Sequence, residues 1–141
     1  MTTKPKYQVV EHTADVAIKV AADSLAELYA CAGFGMFDLI VDLSVVKPLI
    51  EEHVSVEAGD YEELMVNWLN ELLFLFETRK LLFCDFDIIE LDKTHLSAVV
   101  RGEEFSPARH ETRHDIKAVT YYGLHIEQED DQWAASVVFD I

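Results

Sequence analysis

Basic residues are scarce in this sequence. Its 141 residues include 11 Lys and Arg against 27 Asp and Glu, a formal charge of −16. Nucleic-acid binders draw most of their affinity from neutralising phosphates with Lys and Arg. Strong direct binding to RNA, DNA or an anionic membrane is therefore not expected. The same charge suits basic protein partners and divalent cations. Cysteine is equally sparse. Cys31 and Cys84 lie far apart in apolar stretches, with no C-x-x-C pair and no zinc spacing. They read as core thiols in a reducing compartment. Three prolines and five glycines leave no linker, and there is no internal repeat. One domain over residues 1–141 is expected. No run approaches the roughly 20 apolar residues of a membrane span. The polar start, Met1 to Lys6, lacks the apolar region of a leader, so a cytoplasmic location is expected.

Common catalytic signatures are missing too. The glycines are too scattered for a phosphate-cradling loop, and no G-x-S-x-G elbow occurs. Neither cysteine has an activating neighbour. The six histidines, at 12, 53, 95, 110, 114 and 125, are dispersed without a zinc-binding spacing, and read as surface or loop residues.

What is present is patterned. Half of the residues are hydrophobic, enough for a core at this length. Tyr7 to Val10 reads as a short strand, and His12-Thr13-Ala14 as a turn. From Asp15 to Ala21, Val16, Ile18 and Val20 alternate with Ala17, Lys19 and Ala21, the period of a half-buried strand. Ser24 with Glu27 forms a capping-box pattern, and an apolar stripe from Leu25 to Ile40 follows at helical spacing. Gly33 and Gly35 inside that helix point to close packing against a sheet. Val54 to Ala58 alternates as a further strand. Asp60 with Glu63 caps a second helix from Tyr61 to about Glu77, whose Leu64, Met65, Trp68, Leu69, Leu72, Leu73 and Phe76 form a broad apolar face. This face is the expected centre of the core. A hairpin over Leu82–Leu91 and His95–Arg101, a polar loop from Gly102 to His114, and strands over Ile116–Glu127 and Trp133–Ile141 complete the chain. The order is ββαβαββββ, an α+β fold with two helices packed on largely antiparallel sheets. Pattern alone does not say whether the strands form one sheet or two.

One constellation carries chemistry. Asp15 opens the second strand after a tight turn, Asp140 is penultimate, and Ile141 ends the sequence with a free carboxylate. Hard cations such as Ca²⁺ and Mg²⁺ want several oxygen ligands, with carboxylates supplying charge. These three groups make such a site if the two strands meet. If they do not, each aspartate simply faces water. Lys117 is either an ordinary snorkelling side chain or a fixed positive charge beside the carboxylates.

Five segments resemble one family. Glu11-His12-Thr13-Ala14-Asp15 is similar to the E/D-H-T-A-D motif of the archeases. Trp68 to Phe76 resembles their W-L-N-E-L-L-F-L-F segment. Arg101-Gly102-Glu103-Glu104-Phe105, followed by His110, resembles their R-G-E-x-F loop. Ile116 to Tyr121 resembles V-K-A-V/I-T-Y, and Val138-Phe139-Asp140-Ile141 resembles the closing V/I-F-D-I. The five matches run in order from near residue 7 to the last residue. Two departures stand out: Ile40-Val41-Asp42 lacks the usual Thr, and Gly33 and Gly35 replace common alanines.

The resemblance implies a non-catalytic activator of an RtcB-type, GTP-dependent RNA ligase in tRNA splicing or RNA repair, promoting guanylylation and repeated turnover. It implies a divalent metal held by Asp15, Asp140 and Ile141, with Lys117, Asp38 and His12 as accessory candidates. Calcium is the expected ion, with magnesium and manganese as alternatives. A metal-dependent hydrolase of a phosphorylated small molecule is the competing reading, using Asp15 and Asp140 on the metal and Lys117 on the phosphate.

Overall fold

The computed structural model describes residues 6–12 and 14–141. Its strands are β1 (Tyr7–Glu11), β2 (Asp15–Ala22), β3 (Ile50–Glu57), β4 (Leu81–Leu91), β5 (His95–Glu104), β6 (Ala118–Glu129) and β7 (Gln132–Asp140). Its helices are α1 (Leu25–Ile40) and α2 (Tyr61–Arg79), with a short 3-10 turn at Leu43–Val45. The order ββαβαββββ stands, with antiparallel pairing throughout.

The strands form two sheets, ordered β1-β2-β7-β6 and β3-β5-β4. The division does not follow position before or after the helices. Both ends of the chain share one sheet, and the middle builds the other. α1 lies between them, packing on β2 and on β4, while α2 bridges β3 and β6.

Helix boundaries follow capping chemistry. The Ser24 hydroxyl accepts the Glu27 N–H at 3.1 Å, and an Asp60 oxygen accepts the Glu63 N–H at 2.8 Å. Each satisfies a donor that the first helical turn would otherwise leave unpaired. α2 ends at Arg79, capped by Lys80, which takes the left-handed conformation (φ 57°) and donates its N–H to Phe76 O. This lies two residues beyond the boundary that the apolar pattern suggests, because Arg79 is polar but still helical.

The α2 stripe is the core, as expected: Leu64, Met65, Trp68, Leu69 and Leu72 are fully buried. Each such side chain contributes roughly 1.5–3 kcal/mol. The Trp68 indole donates to Tyr29 O at 2.9 Å, so its buried N–H is satisfied. Gly33 and Gly35 let α1 approach both sheets. A Cβ at Gly33 would meet the Phe86 ring of β4 at 3.0 Å, and one at Gly35 would meet Ile18 of β2 at 3.0 Å.

Three local expectations are revised. β5 continues to Glu104, so the segment expected to open a polar loop at Gly102 is still strand, and the loop begins at Phe105. Lys117 lies one residue before β6 rather than inside it. His110 is not a surface histidine; it is buried, with 2% exposure. Cys31 is buried and Cys84 half-buried, both as free thiols. Residues 1–5 of the polar start, and Thr13 of the turn, lie outside the described residues. Among the described residues no helix is long and apolar enough to cross a membrane.

Candidate metal site at the end of the chain

Three segments meet at one corner of the four-stranded sheet. In the register of β2 with β7, Asp15 stands directly opposite Asp140. In the register of β6 with β7, Ala118 stands opposite the same Asp140. The next pair inward is Val16 with Phe139, and both are fully buried. Side chains alternate across a strand, so Asp15 and Asp140 project together from the opposite, outer face. Asp140 is exposed and Asp15 partly buried. Directly opposed side chains have Cβ atoms about 4.5–5.5 Å apart, within which two carboxylates can share one cation.

Backbone bonds fix this corner. The His12 N–H donates to Asp15 O at 3.0 Å, closing the β1–β2 turn. The Ile141 N–H donates to Ala14 O at 3.3 Å, so the last residue lies against that turn. The Lys117 N–H donates to Asp140 O at 2.8 Å, bringing the start of β6 to the same place. Asp15, Asp140, Ile141 and Lys117 are thus brought to one corner, the pairing that the sequence pattern left open. The Ile141 side chain packs against the core. The Lys117 side chain is exposed.

Asp15 and Asp140 each present carboxylate oxygens, the ligands that hard cations take. Among the described residues no group of three or more His, Cys, Asp or Glu side chains gathers as a metal site. Opposed like charges on neighbouring strands are unfavourable without a counter-ion. His12 is exposed beside the turn.

Asp38 is differently placed. It is 7% exposed, and both its oxygens are engaged. One accepts the Tyr7 hydroxyl; the other accepts the Leu43 N–H at 3.1 Å and lies 3.8 Å from the Arg113 guanidinium. Arg113 also donates to Asp38 O at 3.1 Å. Asp38 therefore ties β1, α1, the 3-10 turn and the segment before β6 into one network. Burial, with the Asp38 hydrogen bond and charge, pushes the Tyr7 phenol well above its ordinary range.

A second buried network escaped sequence reasoning. Glu103 is 5% exposed and pairs with Arg109. It also accepts the Lys47 N–H at 2.6 Å, while Arg109 donates to Val45 O at 3.2 Å. The Ser106 N–H donates to His110 Nδ1 at 2.8 Å, and the His110 ring stacks on Phe105. The His110 Nε2 lies 3.7 Å from Glu103 Oε2. This cluster pins the loop after β5 to the segment before β3. The proximity of Glu103, Arg109 and His110 in sequence was a signal, but their burial depends on a tertiary fold-back.

Residues 7–141 match the model of the archease protein family. The chain belongs to the archease family. The archease of Methanopyrus kandleri is 41% identical over 138 residues, covering 96% of this chain and 99% of that protein. The archease of Methanosarcina acetivorans is 37% identical over 140 residues, covering 96% of each. Among solved structures, a solution structure of protein 1598 from Methanobacterium thermoautotrophicum superposes with a TM-score of 0.81 at 32% identity, covering 96% of this chain and 98% of that one. A crystal structure from Thermotoga maritima, described as an archease and possible chaperone, shares the fold with a TM-score of 0.64 at 21% identity, covering 100% of this chain and 98% of that one. The family match spans every residue of the carboxylate corner.

Proposed function

We propose that this archease is a non-catalytic accessory protein that activates an RtcB-type, GTP-dependent RNA ligase in tRNA splicing or RNA repair, promoting its guanylylation and its repeated turnover. The observation that carries the reading is the corner itself: Asp15 opposes Asp140, and Ile141 is bonded to the turn before Asp15. We assign Asp15, Asp140 and, where the chain ends at Ile141, the terminal carboxylate as the ligands of a divalent cation, calcium first, with magnesium or manganese as alternatives. When bound, such an ion supplies positive charge for the phosphates of nucleotidyl transfer. Asp15 and Asp140 hold their places through the β2–β7 ladder, so the donors are arranged before any ion arrives. Lys117, whose backbone N–H donates to Asp140 O, is assigned as an accessory positive charge. Asp38 stays outside the ligand set, since Tyr7, Leu43 and Arg113 already occupy it. A net charge of −16 favours docking on a basic, RNA-binding protein.

The test is multiple-turnover ligation by the ligase of the same organism. Wild type is expected to raise the rate, and Asp15→Ala and Asp140→Ala to lose most of that gain. No stimulation by wild type, or full stimulation by both variants, sinks the reading. The position of Lys117 beside Asp140 also keeps the hydrolase alternative testable. Phosphate-ester turnover with Mg²⁺ or Mn²⁺ that disappears in Asp140→Ala would favour it.

A further inference from the structure

β6 carries a large irregularity close to the carboxylate corner. Thr120 pairs with Val138, but the next pair is His125 with Ser136. Four residues, Tyr121 to Leu124, therefore face the single residue Val137. Gly123 takes φ +65°, a conformation that favours glycine, and allows the strand to bulge there. Leu124 turns back onto the core. Tyr121 and Tyr122 remain 58% and 81% exposed. Bulges are recurrent devices for re-aiming side chains near functional sites. Two adjacent rings held out in water gain nothing for the fold.

The bulge is near the corner. Ala118 stands opposite Asp140, and Tyr121 follows three residues later, roughly 10 Å along the strand. The chain as a whole is acidic, with a net charge of −16. Asp115 before β6 and Glu127 on it are exposed. Aromatic faces attract guanidinium groups, and carboxylates beside them complete the recognition of arginine. Tyrosine is also enriched among the residues that dominate binding energy at protein interfaces.

We infer that Tyr121 and Tyr122 are the docking anchor for an arginine-bearing surface of the RNA ligase, seating that surface over the Asp15–Asp140 corner. This rests on the ligase reading above. The charge complementarity selects a basic protein rather than a nucleic acid, which a net charge of −16 repels. It also disfavours a second copy of this equally acidic chain.

The experiment measures binding of the full-length chain to the cognate ligase at two salt concentrations, alongside calcium titration. Tyr121→Ser with Tyr122→Ser is expected to weaken ligase binding about tenfold or more. Calcium affinity and melting temperature should stay unchanged. The double phenylalanine variant keeps the ring faces and should bind within about threefold of wild type. Equal ligase affinity for wild type and the double serine variant overturns the anchor while leaving the activator reading intact. If wild type binds no ligase at all, the activator reading itself falls. A loss confined to self-association, or to binding of a labelled RNA oligonucleotide, would also overturn the inference.

Discussion

Asp15 and Asp140 are directly opposed across the β2–β7 ladder, with the buried pair Val16 and Phe139 immediately inward. Two like charges in that relation are unfavourable in the absence of a cation. Asp140→Asn should therefore stabilise the metal-free protein slightly, by about 0.5 kcal/mol or less. It should also abolish any calcium-dependent rise in melting temperature, since only ligand binding to the native state raises it. Thermal melts with calcium and with chelator check both halves. A variant less stable than wild type in chelator would contradict the opposition.

Asp38 predicts a different outcome. Its two oxygens serve Tyr7 and Leu43, with Arg113 close by. Asp38→Ala leaves those donors without partners in a largely buried place. Each of the two orphaned donors costs about 1–3 kcal/mol, so a loss of about 2–6 kcal/mol is expected in denaturant melts. Calcium affinity of the folded variant should stay near that of wild type. A loss of calcium binding with stability intact would return Asp38 to the ligand set.

Glu103 gives a pH dependence. Burial pushes its carboxyl up, but the Lys47 N–H, the Arg109 hydrogen bond and the charges of Arg109 and His110 together outweigh this and hold it below its ordinary value. A carboxylate whose pKa is lower in the folded state stabilises above its unfolded pKa, near 4.3 for Glu. That contribution is lost as pH falls through the folded value. The stability gap between wild type and Glu103→Gln should be widest near pH 7 and shrink below about pH 4.3. A gap that stays constant down to pH 3 would remove Glu103 from the account of acid sensitivity.

Both thiols should be slow to react. Burial, then the charges of Asp85 and Glu103, pushes the Cys84 thiol up to about 11, and burial likewise raises Cys31. The thiolate is the reactive form. Alkylation at pH 8 should be slow in the native protein and rapid in denaturant. Fast native labelling of Cys84 would show that the strand end around it opens.

Much of this was legible in the sequence because its causes are local. Ser24 with Glu27 and Asp60 with Glu63 announced both helix starts, and the caps form there. Alternation of Val16, Ile18 and Val20 fixed which face of β2 is buried, and so sent Asp15 outward. The meeting of Asp15 with Asp140 was conditional on a pairing between strands more than a hundred residues apart, which periodicity cannot supply. The split into two sheets was hidden for the same reason. His110 looked like a loop histidine because its burial needs the segment after β5 to fold onto that before β3. The tyrosine bulge was invisible because Val119 to Ile126 reads as a strand without interruption; only the lost register reveals it.

We propose that, where the chain ends at Ile141, its terminal carboxylate completes a cation site beside Asp15. Calorimetric titration with calcium tests it directly, comparing wild type, an N-terminally tagged form and a form extended by a few residues beyond Ile141. Extension moves the terminal carboxylate from the corner, while Asp15 and Asp140 stay in place. Clearly weaker binding is expected in the extended form alone. Equal affinity in all three, or no binding in any, would contradict it.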